Sequence, residues 1–276
     1  MNASEKGENQ GPNAGPPPGD AHIEVRSLQK NFGETKVLKD VNMSIGRGHV
    51  AVIIGGSGAG KTTLLRILIG LERPSSGSVV VSGQDIANLN DRELNRMRRK
   101  FGMVFQYSAL LDSMNVMDNV AFPMREHTKL PDKEIRAKVT EKLNSLGLEN
   151  VERRFPSQLS GGMRKRVALA RALMLEPEVI MYDEPTSGLD PVTSRMVDDL
   201  VLETRKRFGV TSVIISHDML GALQIADEIY LLSKGSIVAS GPPQEIVHAQ
   251  NELLHQFLES SGVSGMSSFG AKRKTD

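Results

Sequence analysis

The sequence predicts an α/β fold: a core of mainly parallel sheet covered by helices on both faces, with a helical segment inserted into it. Three observations predict it. Short apolar runs bounded by turn residues alternate with helical patterns. His49 to Ile54 (HVAVII) is a nearly continuous apolar run ending in glycines, as a strand buried on both faces requires. From Val116 to Leu175 the pattern becomes mainly helical, and strands resume afterwards.

Met1 to Asp20 is rich in Asn, Gly, Pro and Glu and holds too little apolar area to offset ordering entropy, so residues 1–20 read as a disordered tail. The globular part starts near His22. Ile23 and Val25 alternate with polar residues, as do Val41, Met43 and Ile45, the signature of half-buried strands. After the central apolar run a helix is expected from Lys61 to about Ile69, with Leu64, Leu65, Leu68 and Ile69 inward. Val79–Val81 and Gly102–Phe105 read as further strands. In the helical middle Pro131 suits a first turn, Ile135, Val139, Leu143 and Leu146 form one stripe, and Gly147 is a C-terminal stop. Glu178–Tyr182, Thr211–Ser216 and Glu228–Leu232 are expected strands, alternating with helices at Pro191–Phe208 and Pro243–Leu258. From Gly262 the chain is Ser/Gly-rich and then basic (Lys272-Arg273-Lys274), a segment expected to be flexible or to order against a partner.

Composition narrows the function classes. The formal net charge of +1 gives no reason to expect nucleic acid as a partner. The absence of cysteine removes disulfides and thiolate metal sites. No apolar run reaches the ~18 residues of a membrane span, and the N-terminus lacks the apolar stretch of a secretory signal. A role at a membrane would need another subunit to cross it.

Gly55-Gly56-Ser57-Gly58-Ala59-Gly60-Lys61-Thr62 is a Gly-x4-Gly-Lys-Thr motif between an expected buried strand and an expected helix, the context a phosphate-binding loop needs. Its glycines let backbone N–H groups turn inward around phosphates, and the helix start adds its positive dipole end. Lys61 is expected on the outer phosphates and the Thr62 hydroxyl on Mg²⁺, with Thr63 beside it in the nucleotide site. Val179-Ile180-Met181-Tyr182-Asp183-Glu184 is an apolar strand ending in two acids. Carboxyl ends of parallel strands line the ligand crevice, which places Asp183 to hold Mg²⁺ and Glu184 to orient or deprotonate an attacking water.

With these motifs in place, the chain resembles the nucleotide-binding subunit of ABC transporters over about residues 22–258. Leu159-Ser160-Gly161-Gly162-Met163 looks like that family's signature motif, before a helix at Arg164–Leu173, and Ser187-Gly188-Leu189-Asp190 looks like its D-loop. Gln106 looks like the Q-loop glutamine, His217 like the switch histidine, and Phe32 stands where the family has an aromatic that stacks on adenine. The resemblance implies a phosphate-loop NTPase core over 21–258, with an N-terminal antiparallel β subdomain and an inserted α-helical subdomain at about 107–175. It also implies a tail at 259–276 able to contact a dimer partner. ATP and Mg²⁺ are the implied cofactors. The implied site comprises Lys61, Gln106, Glu184 and His217 for catalysis and Thr62, Gln106 and Asp183 for metal. The loop residues, Phe32, Ser160, Gly161, Gly162 and Asp190 would surround nucleotide. Two copies would face head to tail, each ATP lying between one phosphate loop and the other copy's Ser160-Gly161-Gly162.

The signature ends in Met163 instead of the more common glutamine. That segment, and the stretch Phe105 to Thr128, are similar to the ATPases of Mce/Mla-type systems, which move phospholipids between the inner and outer membranes of Gram-negative bacteria; Tyr107 departs from the small residue expected there. This branch implies integral membrane permease subunits, an Mce-domain lipid-binding protein as partner, and a peripheral location on the cytoplasmic face of the inner membrane. Importers of amino acids or other small polar solutes are the alternative. A soluble ABC ATPase is less favoured, because no sustained heptads and no second such domain are present. The basic run Arg96–Lys100 is read as a solvated helix face.

Overall fold

The computed structural model describes residues 21–260. The strands β1 (Ala21–Phe32) and β2 (Thr35–Gly46) form a hairpin, and β3 (Val50–Ile54) leads into helix α1 (Lys61–Leu68). Then come β4 (Ser76–Val81), β5 (Gln84–Asp85), α2 (Asp91–Arg98) and β6 (Phe101–Val104). Three helices follow, α3 (Val116–His127), α4 (Asp132–Ser145) and α5 (Gly161–Leu173). The remaining elements are β7 (Val179–Asp183), α6 (Pro191–Phe208), β8 (Thr211–Ser216), α7 (Met219–Ile225), β9 (Glu228–Ser233), β10 (Ser236–Gly241), α8 (Pro243–Ile246) and α9 (Glu252–Ser260).

All ten strands lie in one sheet, ordered β5-β4-β1-β2-β10-β9-β3-β8-β7-β6. The run β9-β3-β8-β7-β6 is parallel, and β1 pairs antiparallel with both β2 and β4. The alternation read from the sequence sorts the strands' side chains onto two cores. Val50, Val52 and Ile54 face one core with Ile180, Tyr182 and Ile214, beneath α3–α7. Ala51 and Ile53 face the other with Met181, Val213 and Ile215, beneath α1 and α2. Each fully buried Val, Leu or Ile contributes roughly 1.5–3 kcal/mol, so a central strand buried on both faces anchors the domain.

Several expectations need correction. In α1 the fully buried set is Leu64, Leu65, Ile67 and Leu68; Ile69 ends the helix half-buried. Pro131 precedes the first turn of α4 as its cap instead of lying within it, whereas Gly147 with φ +67° takes the left-handed stop as expected. The helix expected over Pro243–Leu258 is two helices. Asn251 interrupts it, its amide donating to the Val238 carbonyl and its oxygen accepting from the Leu254 N–H, which starts α9 afresh. The basic run Arg96–Lys100 is only partly solvated: Met97 is buried and Arg98 donates to the Gly70 carbonyl at 2.6 Å. Helix α9 runs through Ser260, two residues into the expected tail; the rest of that tail, and the one expected over 1–20, lie outside the described residues.

Candidate active site

Strand β3 ends at Ile54 and the chain turns through Gly55–Gly60 into α1. Gly60 has φ +109°, and a Cβ there would lie 2.8 Å from the Leu38 side chain and 3.2 Å from the Val37 carbonyl, so the turn excludes other residues. No side chain caps α1, which leaves its first N–H groups open to an anion. Ser57, Gly58 and Thr62 are exposed, Thr63 is half-buried and Ala59 buried. Lys61 Nζ folds back onto the loop, donating to the carbonyls of Gly55 (2.7 Å) and Gly56 (3.3 Å). It also lies 3.6 Å from the Glu184 carboxylate, so the loop and the acid pair form one site.

Asp183 and Glu184 sit at the carboxyl end of β7, between β6 and β8. Burial, then the neighbouring Glu184 charge, raise the Asp183 carboxyl above its usual range, opposed by Lys61 and Arg66. A carboxylate in that setting is stabilised by a bound cation. Glu184 adopts φ +47°, a left-handed conformation unfavourable for a non-glycine residue, and is held by its N–H to the Ile215 carbonyl (2.8 Å). Its carboxylate is 2.6 Å from Nδ1 of His217, whose side chain is otherwise 60% exposed. Lys61, Glu184 and His217 therefore form a continuous chain from loop to strand end.

Gln106 follows β6 and turns toward Ser187, its Nε2 donating to Ser187 Oγ at 3.0 Å. Asp190 caps α6, accepting from the N–H groups of Val192 and Thr193 at 3.0 Å and from the Thr193 hydroxyl at 2.6 Å. Phe32 lies at the tip of the β1–β2 hairpin with 48% of its surface exposed, so it is not a core residue, and the Lys30 ammonium sits 4.8 Å from its ring centre. Ser160 caps α5, its hydroxyl accepting from the Met163 N–H at 3.3 Å. Ser160, Gly161 and Gly162 are exposed, and among the described residues no hydrogen bond or ion pair joins them to Gly55–Thr62.

A cavity of about 630 Å³ opens beside this cluster, lined by Ser187, Leu189, Asp198, His217 and Asp218 among others. Asp198 is only 6% exposed, and burial, then the charge of Asp218, push its carboxyl up to about 7. The sequence reading missed Asp198 and also Lys165, whose ammonium donates to the Gln106 carbonyl. Each left one signal, a charge on a buried helical stripe: Asp198 is three residues before Val201, and Lys165 stands three and four before Ala168 and Leu169. Among the described residues no cluster of three or more His, Asp or Glu could hold a metal, and no helix is long and apolar enough to cross a membrane.

Comparison with known proteins bears on this geometry. A family model described as "ABC transporter" matches residues 38–187. The chain is 42% identical over 247 residues, 89% of its length and 71% of the relative's, to the "Probable ribonucleotide transport ATP-binding protein mkl" of Mycobacterium leprae. It is 40% identical over 237 residues, 86% of its length and 90% of the relative's, to the "Intermembrane phospholipid transport system ATP-binding protein MlaF" of Haemophilus influenzae. Among solved structures it is similar to a dimeric ATP-binding cassette, MJ0796, in a post-hydrolysis state bound to ADP and Pi. The TM-score is 0.70 and the identity 32%, covering 80% of this chain and 98% of that one.

Proposed function

Because the chain belongs to the ABC transporter family, we propose that it powers phospholipid trafficking between inner and outer membrane, as a Mg²⁺-dependent homodimer on the cytoplasmic face of the inner membrane. It binds ATP and hydrolyses it as the cassettes of this family do. The observation that supports a composite site is the bareness of two glycines. A Cβ added to Gly161 or Gly162 would meet nothing within 4 Å, and neither has a positive φ. Nothing in this chain requires glycine there. A ligand approaching the α5 N-terminus from a second copy would, since its phosphates need contact with backbone N–H groups and the positive helix end.

In this reading the loop N–H groups and the uncapped start of α1 hold the phosphates. Lys61 leaves the Gly55 and Gly56 carbonyls to reach the outer ones. Phe32 offers its exposed face to the adenine ring, and Asp190 orders the loop that meets the partner subunit by capping α6. The hydroxyl of Thr62 and the amide oxygen of Gln106, with the carboxylate of Asp183 acting through water, are hard oxygen donors that would hold Mg²⁺ here. When bound, the ion neutralises phosphate oxygens as negative charge develops on them. Glu184 accepts the proton of the attacking water. His217 holds Glu184 through Nδ1 and turns Nε2 toward the γ-phosphate.

Residues 107–175 serve in this proposal as the helical arm that contacts membrane permease subunits, with an Mce-domain lipid-binding protein further along the complex. The similarity to the intermembrane phospholipid transport ATPase supports that cargo. The relative named for ribonucleotide transport favours a second reading, a phosphate-bearing solute.

Two experiments test this. Ser160→Arg should leave ATP binding to one chain intact and abolish hydrolysis. In mixed dimers with wild type the defect should fall on one of the two composite sites; loss of ATP binding by the variant itself would sink the geometry. For the cargo, the complex is purified from detergent-solubilised membranes and its bound small molecules identified by mass spectrometry. Co-purifying phospholipid and an Mce-domain protein support lipid trafficking, whereas a solute-binding protein would replace it with the importer reading.

A further inference from the structure

Two cations of α5 are spent on the backbone of one loop. Lys165 is 8% exposed, has no carboxylate partner among the described residues, and donates its ammonium proton to the Gln106 carbonyl. Arg171, nearly two turns further along the same helix, donates from Nη1 to the Ala109 carbonyl (2.7 Å) and from Nη2 to the Ser108 carbonyl (3.0 Å). Burial lowers the proton affinity of both groups, so each is held charged at a cost, and carbonyl oxygens alone offset it. The loop they hold is itself unfavourable: Ser108 (φ +64°) and Ala109 (φ +45°) are successive non-glycine residues in the left-handed region. Such a conformation persists only where its surroundings over-determine it.

We infer that Lys165 and Arg171 are positioning residues that clamp the Gln106–Ala109 loop to α5, so that the loop and Ser160–Gly162 move as one body. Lys165 stands five residues after the Ser160 cap, about 7.5 Å along the helix axis. On the other side the Gln106 side chain bonds Ser187, at the start of the segment ending in Asp190. A nucleotide engaged by Ser160–Gly162 from the opposite copy therefore sets the position of Gln106 in this copy's own site. This rests on the reading of Gln106 and of the composite site given above.

The test is a double-mutant cycle on the full chain, with turnover at saturating ATP and affinity for a fluorescent ATP analogue measured in parallel. Lys165→Met should lower kcat about 10-fold while analogue affinity stays within about twofold. Lys165→Arg should restore most of the turnover. Gln106→Ala should lower kcat by a similar factor, and the double variant should be no slower than the slower single one, because Lys165 acts through Gln106. Arg171→Lys, which keeps the charge but loses the two-pronged grip, should show the same split and carries the cycle if Lys165→Met does not fold. Wild-type turnover in both clamp variants overturns the clamp, and so do effects that multiply in the double variant. Wild-type turnover in Gln106→Ala overturns instead the reading of Gln106, and the purpose of the clamp with it.

Discussion

Replacing Glu184 with Gln keeps the shape of the side chain and removes one charge. In the structure that charge is 3.6 Å from Lys61 Nζ and 2.6 Å from His217 Nδ1, with 18% of the side chain exposed. At an effective dielectric of ~20, a unit charge pair at this separation attracts by about 4–5 kcal/mol before desolvation is subtracted. That attraction, together with the Gly55 and Gly56 carbonyls, keeps Lys61 on the loop in this structure, and the carboxylate would also repel an incoming γ-phosphate. Neutralising it should therefore leave ATP binding unchanged or tighter. Loss of a general base costs about 10²–10⁴-fold in rate, or about 3–5 kcal/mol on the barrier. The expected phenotype is a chain that binds ATP, hydrolyses it at least about 100-fold more slowly, and accumulates as an ATP-dependent dimer. Single-turnover hydrolysis and size-exclusion chromatography with ATP and Mg²⁺ measure both. Hydrolysis within about twofold of wild type would refute the assignment of Glu184, and loss of ATP binding would refute the electrostatic reasoning.

Gly162→Ala places a methyl in open space on a helix, so thermal stability should hold or rise by up to about 0.5–1 kcal/mol while turnover falls; a lowered Tm with normal turnover would contradict the composite site. Lys61→Ala should lose nucleotide affinity, read by equilibrium binding, and unchanged ATP binding would refute the loop assignment. The Glu178 carboxyl would be raised by burial, but hydrogen bonds with Lys100, Ser82 and His22 outweigh this and hold it at about 2, against an ordinary 4.5. Its folded value lies below its unfolded one, so its stabilisation is complete above about pH 4.5 and is lost as pH falls through about 2. Urea midpoints measured across that window should flatten in Glu178→Gln. Asp198 has the opposite sign: its folded value of about 7 exceeds its ordinary 3.8, so stability declines as pH rises between the two. Asp198→Asn should remove that decline and be the more stable form at pH 8, again by urea midpoints.

The sequence alone determined the features that depend on local periodicity and short motifs. His49–Ile54 was legible as the central strand because a strand buried on both faces must be apolar without alternation. Gly55–Thr62 was legible because a turn around phosphates needs glycine backbone and a lysine at set offsets. Asp183 and Glu184 stood out as charges abruptly ending an apolar run. Tertiary structure decided what depends on which distant segments meet. It placed Lys61 against Glu184 and Glu184 against His217 by ordering β3, β8 and β7 side by side. It split the expected helix at Asn251 through a bond to β10, a strand the periodicity did not show. It turned Lys165 and Asp198, whose place on buried helical stripes signals burial but not a partner, inward to a loop carbonyl and a cavity. A charge's neighbours are set by the packing of other elements, and no spacing within its own helix encodes them.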